Sequence, residues 1–318
     1  MRPRIVYLLL PLIVLIWGTT WLAIRVVLKD LPGWQSIGWR FLIAGLCLFA
    51  WVRAQGIPIR FDRRACAIHL FLTVCTYVGT YGCVYYGQRT VPSGLASVIF
   101  ATMPFYVVLL GPLLVRERLT VWKLAGLVLG IAGILAIHRA KLEDQPIGFN
   151  QGLLALSAAP VFTALGNLVL KRIAVRENAI ALNVPPMLYG AAVFFVLAFL
   201  FDDPSRNRHT PRLWSTLLYL STIGTAFVFT AYFVLLRHLP VTRLSFTAFV
   251  TPVVAVLAGW LVEGERLSLE HLVGAALVLA GVAVSGMPYR APPRPTRAAD
   301  SADERAGPST LARETTGA

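Results

Sequence analysis

Two arginines stand inside apolar runs of this 318-residue chain, Arg25 in "TTWLAIRVVL" and Arg40 in "SIGWRFLIAG". A guanidinium is permanently charged and presents a planar fork of donors that matches a carboxylate or a phosphate. Anion binding is therefore the chemistry open to the pair, and the plain alternative is that each stem snorkels to lipid headgroups. The fifteen acidic residues all fall in loops, at the ends of apolar runs or in the C-terminal tail. None is placed to carry a proton through the middle of a run or to face a cationic drug, and no convergent His, Asp and Glu suggest hydrolysis. Four cysteines without a C-x-x-C pair or histidines at ligand spacing give no reason to expect a metal or another cofactor.

Other polar or breaking residues in the same runs are weaker candidates. Trp17 lies near the middle of its run, where an interfacial Trp is not expected, with Gly18 beside it; a cavity wall and helix packing are both open. Tyr77, Tyr81 and Tyr85 recur every four residues and make one helical stripe, whose hydroxyls need a polar partner or cavity. Pro104 and Pro252 each remove an in-helix hydrogen bond and free a carbonyl. Ser97 and Ser245, about two turns earlier, could face the same space or be small-residue packing. Asn167 falls on Arg25 when Lys29 is laid on Lys171. Glu117 and Glu265, at the ends of two long runs, read as helix-end ion pairs or as gates.

The elements that must position these residues follow from composition. The chain is 57% hydrophobic and 14% charged, with mean hydropathy +0.69, whereas soluble domains run near ~25% charged. Broken at charge clusters and Pro/Gly turns, it yields an all-α integral membrane protein of about ten spans: Tyr7–Leu28, Gln35–Val52, Ala65–Tyr86, Gly94–Val115, Val121–Ile137, Gly152–Leu170, Ala179–Phe201, Leu213–Leu236, Ser245–Val262 and Leu269–Gly286. The basic start and apolar core of "MRPRIVYLLLPLIVLIWG" are read as an uncleaved first span. Residues 288–318, rich in Pro, Ala and charge, are expected to be a disordered tail. In a soluble chain a net charge of +14 would suggest nucleic acid; here its distribution counts. With the N-terminus inside, seventeen Lys and Arg fall on inner segments and eight on outer ones, so both termini are expected in the cytoplasm of a plasma (inner) membrane protein and no nucleic-acid partner is expected.

A shift of 148 residues aligns the two halves without a gap from Arg89 to Gly133: Ser97 falls on Ser245, Pro104 on Pro252, Gly111 on Gly259, and Glu117-Arg118-Leu119 on Glu265-Arg266-Leu267. Apolar sequence matches itself by chance, but not Pro, Gly, Ser and Glu-Arg in register, so this is a duplication of units 1–142 and 143–287. Five spans per unit make the copies inverted, an arrangement that recurs in secondary transporters. Thr120 and Ser268 are natural N-caps for the spans that follow the motif. Gly and Ala at small-xxx-small spacing in "LAGLVLGIAGILAI" and "LVGAALVLAGVAV" suit close packing within one chain or in a homodimer.

"LIWGTTWLAIRVVLKDLPGWQSIGWRFLIAG", "TVPSGLASVIFATMPFYVVLLGPLLVRERLT" and "VTRLSFTAFVTPVVAVLAGWLVEGERLSLEHLVGAALVLAGV" resemble the EamA-type permeases of the drug/metabolite transporter superfamily. The likeness covers Ile5 to Gly286 and rests on Trp-Gly in span one, an Arg in span two, and Pro-x6-Gly followed by Gly-Glu-x-Leu-[ST]; Arg116 departs from it, standing where the second copy has Gly264. It implies a ten-helix permease of small metabolites with a central cavity, and it supports Arg40 as the more telling of the two arginines. The expectation is a transporter and not an enzyme, its partners a small-molecule substrate and the bilayer. The other reading is a non-transporting membrane scaffold or receptor on the same fold.

Overall fold

A computed structural model describes residues 3–115, 120–139, 147–173, 178–238, 247–265, 267–285 and 287. Glu117, Ser245 and the 288–318 tail therefore lie outside the described residues.

Long apolar stretches with few breakers leave the chain no way to satisfy its backbone in a bilayer except as helices, and helices are what forms. They are α1 (Pro3–Asp30), α2 (Gly33–Ala54), α3 (Arg63–Leu72), α4 (Thr80–Gly87), α5 (Ser93–Phe100), α6 (Met103–Val115), α7 (Val121–Arg139), α8 (Phe149–Ile173), α9 (Ala179–Phe201), α10 (Pro211–Ser221), α11 (Val228–His238), α12 (Thr247–Glu263) and α13 (Leu269–Ser285). Among the described residues, seven runs are long and apolar enough to cross a membrane: Leu8–Asp30, Gly33–Ala54, Arg63–Gly87, Ser93–Gly111, Phe149–Val169, Ile180–Phe201 and Pro211–Tyr232. Val121–Ile137, Val250–Glu263 and Leu269–Ser285 are shorter apolar helices. Seven of the ten expected spans thus coincide with runs long enough to cross, and the other three fall on apolar helices shorter than that. Large apolar side chains such as Leu46, Val128, Leu154 and Phe199 stay exposed on the flanks, as helices facing hydrocarbon require.

Two of the runs are interrupted by π-helical turns, Thr73–Gly79 between α3 and α4 and Thr222–Phe227 between α10 and α11. The 148-residue shift carries Thr73–Gly79 onto Ser221–Phe227, so the irregularity occupies one position in both halves. A wider turn changes the carbonyl partners, and a threonine hydroxyl answers it in each: Thr80 Oγ1 donates to Cys75 O (3.1 Å) and Thr225 Oγ1 to Leu220 O (2.7 Å), both five residues back. Such turns are frequent at functional sites.

Packing between the helices is also paired. α2 lies along α9 and α7 along α13; α8 runs against α4, α5 and α6, while α1 runs against α10, α11 and α12. The glycine stripes of spans five and ten serve this packing inside one chain: a Cβ on Gly126 would fall 2.7 Å from the Ser285 backbone N, and one on Gly133 2.7 Å from Gly274 O. N-caps fall where the sequence puts them. Thr120 Oγ1 accepts from Lys123 N–H (3.3 Å) and Ser268 Oγ from His271 N–H (3.4 Å).

Span four is where expectation and structure differ. Instead of a single bent helix it is two, α5 and α6, separated by Ala101–Thr102, where Thr102 N–H bonds Ile99 O and Phe105 N–H bonds Thr102 O. Pro104 falls in the first turn of α6, a position that needs no N–H, so it helps start a new helix.

Candidate functional site

Arg40 sits seven residues into α2, about 10 Å from its start at ~1.5 Å per residue, and is 2% exposed. It does not snorkel. Its Nε–H donates to Thr225 Oγ1 in the second π turn (2.9 Å), one Nη1–H donates to the Tyr85 hydroxyl on α4 (3.3 Å), and the guanidinium carbon lies 5.0 Å over the Tyr81 ring. A guanidinium has five N–H donors, and the rest carry no hydrogen bond among the described residues. No acidic side chain among them pairs with it. A buried cation without an anion is costly; aromatic faces and neutral oxygens offset only part of that cost. The arrangement can receive one carboxylate or other small anion in a dry, aromatic-walled environment.

The tyrosine stripe belongs to this cluster. Tyr77, in the first π turn, donates to Asn183 Oδ1 on α9 (2.8 Å), and Phe41, next to Arg40, packs edge-on against Tyr77 and Tyr81 at 5.2 and 4.8 Å. Thr225 and Asn183 are the members that sequence did not flag. Trp17 stands apart, its ring 5.3 Å from Tyr232 and 6.4 Å from Phe229. Beside it Gly18 lets α1 close on α12 at Thr251 and Val254, next to the buried Pro252. Ser97 is buried with its hydroxyl donated to Gly94 O (2.6 Å), which is packing. Pro104 opens α6, and Asn167 on α8 reaches Met103 Sδ at 4.0 Å as its one side-chain partner among the described residues. Among the described residues, neither they nor Trp17, Ser97 and Pro252 share a hydrogen bond or ring contact with Arg40.

A second constellation occupies the end of the fold where α1 meets α2. Every ion pair described there joins residues before 143 to residues after it: Arg25 to Glu265 (3.9 Å), Lys29 to Glu263, Arg89 to Asp202 (3.8 Å) and Arg212 to Asp30 (3.1 Å). Arg25 also donates to the carbonyls of Gln88 and Val91, both at 3.2 Å, so it ties this end together and shares no partner with Arg40. Two of the acids cap helices of the other half. Glu265, 8% exposed, accepts from Ser93 N–H (2.8 Å), Ser93 Oγ–H (3.0 Å) and Gly94 N–H (3.2 Å) at the start of α5. Asp202 accepts from Gln35 N–H in the first turn of α2 (2.8 Å). Glu265 is thus a cap supplied across the halves, a role the sequence could not show because its partners lie about 170 residues away in the chain. A cavity of about 420 Å³ lies among these groups.

Asp202 is the least compensated of the four acids. Its side chain is 6% exposed, and the cation paired with it among the described residues, Arg89, stands at 3.8 Å without a hydrogen bond. Burial pushes its carboxyl above the ordinary aspartate value, opposed by the Gln35 N–H and by Arg89. A carboxyl raised in the folded state favours folding most when protonated, so its contribution declines as pH rises from about 3.9 through the raised value. Subtracting the melting profile of Asp202→Asn from that of the parent should therefore give a difference that falls with pH above about 4; a flat or rising difference would contradict this.

The profile of the EamA-like transporter family matches residues 4–139 and again 150–287. The uncharacterized transporter YoaV of Bacillus subtilis (strain 168) is 27% identical over 85% of this chain and 92% of its own length. The uncharacterized inner membrane transporter YedA of Escherichia coli (strain K12) is 28% identical over 88% and 90%, and a probable amino-acid metabolite efflux pump of Salmonella typhimurium (strain LT2) 26% over 88% and 94%. A chain of known crystal structure superposes with a TM-score of 0.64 at 21% identity, over 89% of this chain and 96% of that one, a likeness of fold. With both halves matched by one profile, the chain belongs to the EamA-like transporter family.

Proposed function

We propose that this protein is an inner-membrane secondary transporter that exports small carboxylate-bearing solutes, amino acids among them, by alternating access between two inverted five-helix halves with both termini in the cytoplasm. The observation that carries the reading is Arg40: a buried guanidinium with spare donors and no acidic partner among the described residues, held by the Tyr85 and Thr225 hydroxyls. The halves supply one wall each, since Arg40 and Tyr85 precede residue 143 and Thr225 follows it. Exchanging the halves also exchanges the packing of α1 on α10–α12 with that of α8 on α4–α6, leaves α2–α9 and α7–α13 in place, and superimposes the two π turns. That supports the inverted repeat, as does the double match of the family profile. Inner-membrane location and export follow the names of YedA and of the Salmonella efflux pump; orientation follows the excess of inner Lys and Arg.

Under this topology the ion-paired end faces outward, where the four ion pairs tie the two halves together. The test is flux in proteoliposomes across matched solutes: L-leucine, 4-methylpentanoate and 3-methylbutylamine, followed by wider panels of amino and organic acids. Saturable movement of carboxylate-bearing solutes and none of the amine is expected. Flux of the amine alone would overturn the anion reading, and absence of flux across the panels would favour the scaffold or receptor.

A further inference from the structure

The cavity at the ion-paired end is lined by four cations, Arg25, Lys29, Arg89 and Arg206, and by two acids, Asp202 and Asp203. Arg25 donates to the carbonyls of Gln88 and Val91, and Lys29 is hydrogen-bonded to Glu263. Arg89 is different. Its guanidinium carbon sits 5.6 Å from the Trp34 ring and 5.6 Å from the Tyr86 ring, which fixes the plane of the fork. It is 40% exposed, and its side chain makes no hydrogen bond among the described residues, Asp202 being 3.8 Å away.

Its other neighbour makes this stranger. Arg89 lies against the first residue of α2, where a Cβ on Gly33 would come 2.9 Å from Nη2. The N-terminus of a 22-residue helix already carries partial positive charge and unbonded N–H groups, and the N-cap, Pro32, supplies no side-chain cap. A cation and a helix N-terminus thus share one acid, Asp202, which spends Oδ2 on Gln35 N–H. Gln88, 1% exposed, lines the same cavity with its Oε1 unbonded while Nε2 donates to Trp21 O. The cavity is short of anionic and donor partners on a wall that is otherwise fixed.

We propose that this cavity is a second binding site, a vestibule for the carboxylate of a small solute, in which Arg89 takes the carboxylate and Asp202 competes with it. A bidentate carboxylate supplies the two parallel hydrogen bonds that Asp202 does not. An ammonium or hydroxyl on the same solute finds Asp203, which lines the same cavity. Placing the site outside rests on the topology proposed above; its binding chemistry does not. In an export cycle it is the station after Arg40, and a solute there loosens Arg89 from Asp202, one tie of the outer closure.

Binding is read independently of transport by saturation-transfer NMR on protein in nanodiscs, with L-leucine, 4-methylpentanoate and 3-methylbutylamine as probes. The two carboxylates should bind and the amine should not. Arg89→Gln should weaken carboxylate binding about tenfold or more, as expected for loss of a charge partner, while Arg40→Ala keeps a vestibule signal. Asp202→Asn should tighten binding several-fold, a gain that misfolding does not produce. Unchanged binding in Arg89→Gln, equal binding of the amine, or broadening of the phosphorus signal of inorganic phosphate with no carboxylate binding would overturn the assignment. Loss in Arg40→Ala alone would place all binding at the central cluster, sinking the vestibule and leaving the transport reading intact. Vestibule binding without flux would do the reverse.

Discussion

Arg40→Ala should lower carboxylate flux in proteoliposomes by about 100-fold or more, within the 2–5 kcal/mol that truncating one side of a buried charge pair costs, without loss of folded yield. The two halves of that expectation pull against each other, which makes the test sharp. Alone, Arg40 is a liability to the fold: it is 2% exposed, and its described partners are two neutral hydroxyls and a ring face. Replacing such a charge by an apolar side chain of similar volume is commonly neutral or stabilising, so Arg40→Met should melt at or above the parent temperature. Alanine adds a cavity term, and methionine separates that from the charge. Arg40→Lys keeps the charge but not the fork, and should recover part of the flux. A residue that is structurally dispensable and functionally required is a binding residue. Unchanged flux in Arg40→Ala and Arg40→Met, or a melting temperature that collapses in Arg40→Met, would remove it from that role.

The sequence announces Arg40 because a cation in an apolar run has few explanations, and it announces Tyr77, Tyr81 and Tyr85 because their spacing makes a stripe. Thr225 is silent, since a threonine in an apolar helix ordinarily bonds its own backbone, as this one also does. A usable signal was the repeat itself: the shift that aligns Pro104 with Pro252 also aligns two Thr-bearing stretches, and both are π turns. Helices were legible for the reason that bilayers make them obligatory. The break at Ala101–Thr102 was not, because proline marks a disturbance without saying on which side of it the helix stops. Least legible was the ion-paired end. Asp202 reads as an ordinary loop acid and Glu265 as a helix-end ion pair or a gate, and only folding brings them to the first turns of α2 and α5. Arg25 suffered the same way: its meaning lies in Glu265, 240 positions along the chain.

Glu265→Ala should open that end. The substitution leaves Ser93 N–H, Ser93 Oγ–H and Gly94 N–H without their acceptor and Arg25 without its carboxylate. Hydrogen bonds to a charged group are worth about 1.5–3 kcal/mol each, and since water replaces some of them on opening, a net shift of about 3 kcal/mol is a fair expectation. That is roughly a 100-fold change in the ratio of open to closed. Ser97, one turn deeper in α5 and 2% exposed, reports it: as a cysteine, in a background without the four native ones, it should react with a membrane-impermeant maleimide at least tenfold faster in Glu265→Ala. Gly259→Ala offers the same disturbance without removing charge. A Cβ there would fall 2.8 Å from Glu265 Cδ and 2.9 Å from Ser93 Oγ, so the carboxylate must leave its seat. Unaltered labelling in both variants would reduce Glu265 to a helix cap with no part in closure. The duplication extends the argument, because Gly111 and Glu117 repeat the Gly259 and Glu265 spacing. Under the proposed inversion, Glu117→Ala should destabilise closure of the opposite face and slow labelling of the same cysteine from outside.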